Sequence, residues 1–254
     1  MAYPIVKYNS STGSNTAPSD AVASGTNATG TAAATSIALG GTYDVRAAAD
    51  DDSDFIWCFT TSGQRHLFQI TAFAPSLSAA TSVTVTEAIG ATFGSGEGGV
   101  AWHINGTRLS LDGDTSFTDW LGLDPGWVVE LDGSFVQTAI GVSVSDQRSS
   151  SSAVTDEPVT IRASASASST PTIDVRSSGY NHFIASAFDN THVRFEGLNL
   201  FCTTGGGSTT KLSASAGTLT LDACNIDTSG GTSTVAISGQ YGGRCLRLFN
   251  CHVK

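Results

Sequence analysis

The sequence predicts an all-β chain in three parts: an extended small-residue arm over residues 1–40, a small β-unit over 41–100, and a solenoid of stacked parallel strands over 101–254. Three observations carry this. Charged residues are only 13% of the chain, about half the usual share, so the Glu-, Lys- and Arg-rich faces of surface helices are missing. Serine (34), threonine (32) and glycine (28) make up more than a third of the 254 residues, a composition that suits tight turns and strands better than helices. Near the C-terminus one pattern of apolar offsets recurs at intervals of 26 and 27 residues.

Taken in order, residues 9–40 are almost entirely Ser, Thr, Gly, Ala and Asn. Such a stretch reads as a flexible tail or as an arm that orders along a neighbouring subunit. From residue 55 the character changes. Phe55-Ile-Trp-Cys-Phe-Thr is apolar, and Leu67-Phe-Gln-Ile-Thr-Ala-Phe and Ser82-Val-Thr-Val-Thr alternate. These are strand signals, with Ser62-Gly63 as the turn between the first two. One short helix is predicted over Ser116-Phe-Thr-Asp-Trp-Leu, with Ser116 as N-cap and Asp119 three residues on.

The repeat is the strongest signal. Val193-Arg-Phe195-Glu-Gly-Leu198-Asn-Leu200 aligns with Leu219-Thr-Leu221-Asp-Ala-Cys224-Asn-Ile226 and with Leu246-Arg-Leu248-Phe-Asn-Cys251-His-Val253. Looser copies precede them: Val129-Glu-Leu131-Asp-Gly-Ser134-Phe-Val136 and Val159-Thr-Ile161-Arg-Ala-Ser164, at spacings of 30 and 34. Each unit alternates, kinks over two residues and alternates again. A second strand-like run follows in between, as in Thr172-Ile-Asp-Val, Lys211-Leu-Ser-Ala-Ser and Thr234-Val-Ala-Ile-Ser. Strand runs at a period in the twenties mean one coil per repeat. The inward positions then stack as Val193/Leu219/Leu246, Phe195/Leu221/Leu248, Leu198/Cys224/Cys251 and Leu200/Ile226/Val253.

This pattern resembles the right-handed parallel β-helix of the pectate-lyase-like superfamily, best from residue 155 onward. On that resemblance, Ala101–Leu111 and Trp120–Leu131 look like a first strand and a short amphipathic segment that cap the open end of the core, since a bare first coil would expose unpaired edges. At the other end the last copy has nothing after it to cover its ladder, so either another chain covers it or the chain continues past Lys254, and the second is expected.

Charge and motifs exclude several functions. Twelve Lys and Arg against 22 Asp and Glu give a net charge of −10, which repels phosphate backbones and argues against nucleic-acid binding. No 18-residue apolar run exists, so no membrane insertion is expected. The N-terminus lacks the apolar core of a secretory signal. Five cysteines without a C-x-x-C pair signal neither zinc nor a disulfide framework. Cys224 and Cys251 share an inward ladder and read as small core groups.

Gly94-Ser-Gly96-Glu-Gly-Gly99 matches a dinucleotide fingerprint formally, but a strand-like run follows where a helix is needed. Within Asp50-Asp-Asp-Ser-Asp54, the acids Asp50, Asp52 and Asp54 are weak candidates for a cation, because the spacing of a calcium loop is absent. Glu196 and Asp222 fall at one offset on adjacent coils, and an acid–base pair of this kind is what a glycosidase needs. The same offset lies at the kink, where polar residues simply face water. His182 and His192 lie in the same region without defining a triad. Asn199 and Asn225 share an offset suited to an amide ladder. No cofactor is implied.

Low charge, abundant small residues, no secretion signal and a solenoid body together look like bacteriophage virion proteins: spikes, tail fibres, tailspikes and head decorations. That resemblance implies assembly in the host cytoplasm, homotrimers, attachment to other virion subunits through the N-terminal arm, and a body that projects outward toward a surface glycan. It transfers fold and layout, not an activity. Two further classes follow from the same body: a polysaccharide-degrading tailspike working through Glu196 and Asp222, and a secreted bacterial adhesin, which needs a leader the N-terminus does not supply.

Overall fold

The structure is a computed structural model. It describes residues 3–15, 17–48, 53–59, 65–86, 88–89, 92–94, 100–109, 111, 126–137, 142–144, 158–175, 181–185, 192–201, 210–214, 218–227, 235–239 and 245–254. Every element among them is a strand. The chain divides into two compact units, Met1–Val6 with Thr12–Leu109 and Lys7–Ser11 with Ser110–Lys254. The helix expected over 116–121 and the Ser62-Gly63 turn lie outside the described residues.

Strand β1 (Ile5–Asn9) opens the chain. The first unit is then built from β2 (Ala23–Gly30), β3 (Ser36–Tyr43), β4 (Phe55–Phe59), β5 (Arg65–Ala74), β6 (Ala80–Val85) and β7 (Val100–Ile104), with the short β8 (Thr107–Arg108) behind them. The six strands β2 to β7 close an antiparallel barrel in the order β2-β3-β6-β5-β4-β7, and β7 pairs back onto β2. Period-2 alternation fills its interior. Ile37 and Leu39 of β3, Ile56 and Cys58 of β4, and Trp102 and Ile104 of β7 are all fully buried in one cluster.

The barrel corrects three expectations. Residues 23–43, read as mostly arm, form β2 and β3. Residues 100–104, read as the entry to the solenoid, are β7. The first unit therefore runs well outside 41–100. The physical reason is size complementarity. A Cβ added to Gly25 would lie 2.6 Å from Tyr43 Oη and 2.8 Å from Trp102 Nε1, and one added to Gly30 would lie 2.6 Å from the Phe93 ring. Small residues on β2 are what let the aromatic rings across the barrel fit, with Tyr43 edge-on to Trp102 at 4.7 Å. A tract of Ser, Gly and Ala is thus the packing counterpart of the rings.

The opposite faces of β4 and β7 are buried as well. The Arg108 guanidinium carbon sits 4.4 Å from the Trp57 ring centre and 5.3 Å from that of Phe59. The His103 ring stacks on Phe59 at 5.4 Å, and its Nδ1 lies 2.5 Å from the Asn105 carbonyl. Burial pushes the His103 imidazole down to about 4 from its ordinary value, with the Arg108 charge acting in the same direction.

The second unit repeats one scheme. Its strands are β9 (Val128–Asp132), β10 (Ser134–Gln137), β11 (Val142–Val144), β12 (Val159–Ala163), β13 (Thr172–Val175), β14 (Asn181–Ala185), β15 (His192–Glu196), β16 (Asn199–Phe201), β17 (Thr210–Ala214), β18 (Thr218–Asp222), β19 (Asn225–Asp227), β20 (Val235–Gly239), β21 (Cys245–Phe249) and β22 (His252–Val253). Each strand from β9 to β19 pairs in parallel with the third strand after it. Successive strands therefore go in rotation to three parallel sheets: β9-β12-β15-β18-β21, β10-β13-β16-β19-β22 and β11-β14-β17-β20. In the first sheet, β1 lies beside β9.

The register follows the strong repeats. Val193 pairs with Leu219 and Leu219 with Leu246; Phe195 pairs with Leu221 and Leu221 with Leu248; Leu200 pairs with Ile226 and Ile226 with Val253. Val193, Phe195, Leu198, Leu200, Leu219 and Leu221 are fully buried. The looser copies fit less well. Val129 pairs with Ile161 instead of Val159, and Phe135 instead of Val136 takes the inward place beside Ile173. The alignment assumed corners of equal length, whereas residues 164–171 separate β12 from β13.

The other described corners between the first and second sheets are one or two residues long and each holds one residue of left-handed backbone: Gly133 (φ +97°), Gly197 (φ +65°), Ala223 (φ +52°) and Asn250 (φ +51°). A cap for the first coil comes from β1. Tyr8 is buried and packs edge-on to Phe135 at 6.4 Å, and Asn9 Nδ2 donates to Asp132 Oδ2 at 3.0 Å.

Two outcomes follow. Ala223 holds a left-handed corner that costs an L-residue roughly 1–2 kcal/mol, and the Cβ position of Gly197 meets nothing within 4 Å. Ala223→Gly is expected to raise unfolding stability by about 1 kcal/mol and Gly197→Ala to lower it by a similar amount, read from urea midpoints. For His103, the folded pKa is depressed, so between pH 6.5 and about 4 the unfolded chain holds a proton that the folded one does not. The stability of the barrel unit is present in full above pH 6.5 and falls by about 3 kcal/mol as pH drops toward 4. Urea titrations across this range should show the fall, and His103→Gln should remove one proton from its slope.

Candidate functional site

Among the described residues, the outward face of the sheet β9-β12-β15-β18-β21 gathers most of the charged side chains of the second unit. Between inward apolar residues, each strand presents side chains to the other side, and parallel register stacks them into columns. One column reads Thr160, Arg194, Thr220, Arg247; the next reads Arg162, Glu196, Asp222, Phe249. Arg162 Nη2 donates to Glu130 Oε1 at 2.9 Å. Arg194 Nη2 donates to Asp222 Oδ2 at 2.5 Å, and its Nε lies 3.7 Å from Glu196 Oε2.

A groove of about 400 Å³ opens over this face, lined by His192, Arg194, Thr220, Asp222, Arg247 and Phe249 among others. Thr220 forms its floor. Its side chain points away from the core, between the inward Leu219 and Leu221, yet it is only 6% exposed because its neighbours rise around it. His192 Nε2 and Thr220 Oγ1 are 3.0 Å apart. Phe249 stands at the rim, 51% exposed.

Glu196 and Asp222 do pair in register on adjacent strands. Between them the structure places Arg194, so the two acids do not face one another across a vacant site. They share a guanidinium, the usual relief for like charges one strand apart. As an acid–base pair for glycoside cleavage this arrangement lacks a carboxyl group free of a cationic partner.

Asp54 is 2% exposed and accepts a hydrogen bond from Asn105 Nδ2, while Asn105 Oδ1 accepts from the Phe55 amide. Its carboxylate ties the start of β4 to the end of β7. Asp50 and Asp52 lie outside the described residues, and among the described residues no three His, Cys, Asp or Glu side chains come together. Residues 95–99 lie outside the described residues, and a strand, β7 from Val100, follows them where a dinucleotide site needs a helix.

Cys224 is buried, and burial pushes its thiol up to about 11. Cys224 and Cys251 each donate to backbone carbonyls of the coil before, Phe195 and Leu221. Cys224 is a core group with little thiolate character, and Cys251 is half-buried. The amide ladder is present: Asn225 Nδ2 donates to Asn199 Oδ1 at 2.9 Å, and Asn199 Nδ2 reaches Thr172 Oγ1 at 3.3 Å. The side chain of His182 lies outside the described residues.

Sequence reasoning passed over Arg194, Thr220 and Arg247. The signal was available: all three sit at the second offset of the three strong repeats, between the two inward apolar positions. Comparison with known proteins finds no matching family, no matching curated protein and no matching solved structure.

The shared guanidinium sets an expectation. Asp222 is 23% and Arg194 36% exposed at the side chain, so water screens the pair, and Arg194 keeps Glu196 within reach. Asp222→Asn is expected to cost no more than about 1 kcal/mol in urea unfolding. A loss several times larger would mean that the pair is a structural pin of the sheet.

Proposed function

We propose that the chain is a structural protein of a bacteriophage virion, of the spike, fibre or head-decoration type, in which the β-barrel unit attaches to other virion subunits and the stacked-strand unit forms the body that projects from the particle. The observation that carries this reading is the division of labour between the two units. One is a closed barrel without sheet edges, suited to seating on a partner. The other adds strands to three sheets in strict rotation, a design that makes length and stiffness by repetition.

In this reading the body is a right-handed parallel β-helix. Connections between parallel strands of one sheet are right-handed in about 98% of cases, and each coil here is such a connection. Attachment falls to the barrel in place of the arm, because residues 23–43 are barrel strands. Low charge suits a surface that touches neighbours, and the homotrimer is carried as part of the proposal.

The reading is tested on particles and on the purified chain. Antibody raised against the whole chain should label intact virions from the host lysate at fixed positions, and light scattering should give a mass three times 26.0 kDa. Purified particles free of the chain by mass spectrometry would overturn the virion assignment; a 26.0 kDa species in solution would overturn the trimer alone.

A further inference from the structure

The groove over Thr220 has a chemistry that neither the virion role nor the fold requires. The chain carries a net charge of −10, yet two arginines and one aspartate line this groove, a local excess of one positive charge. Arg194 and Arg247 stand one strand to either side of Thr220 in the same column, about 9.6 Å apart at their backbones at ~4.8 Å per strand. Long side chains on that spacing can converge over the hydroxyl between them.

Arg247 is exposed and makes no ion pair among the described residues. Arg194 is held by Asp222, whose carboxylate is itself an oxyanion in the groove. The Thr220 hydroxyl and the His192 ring nitrogen add polar groups at the floor. Exposed Phe249 adds an apolar wall beside Arg247.

We propose that this groove binds a carboxylate or phosphate group carried on a sugar ring, with Arg247 and Arg194 on the oxyanion, Thr220 beneath it and Phe249 against the apolar face of the ring. Guanidinium forks match planar or tetrahedral oxyanions with paired hydrogen bonds. Asp222 acts as a tethered stand-in: it keeps Arg194 in place while the groove is empty and competes with an incoming anion. The inference rests on the groove alone, so it stands or falls independently of the virion assignment.

Titration of the full chain with glucuronate, glucose 6-phosphate, inorganic phosphate and glucose, each up to ~50 mM and followed by amide NMR shifts or calorimetry, tests it. At least one sugar anion should bind roughly tenfold tighter than glucose. A preference for glucuronate identifies the carboxylate as the natural group, and a preference for glucose 6-phosphate identifies the phosphate. Arg247→Gln, at an exposed site where folding is unaffected, should weaken that anion about tenfold. Asp222→Asn should tighten it a few-fold by releasing Arg194. Phe249→Ser should weaken the sugar anion and leave inorganic phosphate unchanged. Equal binding of glucose and the anions, no saturation by either sugar anion, or an Arg247→Gln variant of unchanged affinity would overturn the proposal.

Discussion

Parallel strands from successive coils can bond only if each coil turns its corner at the same place as the one before. In the second unit that requirement is met by backbone amides at the corners. Gly197 N–H donates to the Asp222 carbonyl, and Ala223 N–H donates to that of Phe249, each at 3.0 Å. A corner with one left-handed φ turns the chain within two residues, so the strands on either side stay in step. Once the corners are aligned, every side chain stands above its equivalent. Apolar positions become continuous columns, and outward amides such as Asn199 and Asn225 bond to each other along the stack.

Stacking of equivalents also sets the electrostatics. A carboxylate at one offset of two consecutive coils places like charges a strand apart, as Glu196 and Asp222 show. The chain resolves this with an arginine in the neighbouring column, whereas one coil lower down the sheet Arg162 joins Glu130 within the same column. The groove arises from this arrangement. Where the acidic column reaches Phe249 and the basic column continues through Arg247, the positive charge has no ion-pair partner among the described residues. The barrel meets a different constraint. Closure fixes how much volume its strands may carry, and glycines opposite Trp102, Tyr43 and Phe93 satisfy it.

Legibility in the sequence follows these constraints. The three strong repeats were readable because in-register stacking writes the same apolar offsets into every coil, and the register places Val193 over Leu219 over Leu246 as the spacing requires. The looser copies were misaligned, by two residues at Val129 and by one at Phe135, because the corners after β9 and β12 differ in length from those of the later coils, and a spacing argument has no means of knowing corner length. Strands β2 and β3 were hidden for a different reason. Their inward residues are few, with Ile37 and Leu39 alone breaking a run of small residues, and the rings they complement come from residues 43 to 102. A local pattern does not record partners so distant. At the site, the Glu196 and Asp222 stack was visible, whereas the arginine between them belongs to the adjacent column and emerges only when two strands lie side by side.

The rotation of strands over three sheets has a consequence for descent as well as for shape. Since a coil bonds only to the coils before and after it, a tandem duplication of 26 or 27 residues, the interval between paired positions here, inserts a rung without disturbing any other contact. The body can lengthen or shorten in steps of ~4.8 Å while both of its ends keep their neighbours. A faithful copy of the coil that carries Arg194 brings its own counter-charge with it. A copy of the coil that carries Arg247 and Phe249 instead multiplies the unmatched cation and the exposed ring, so binding character can change through copy number while each coil keeps its sequence.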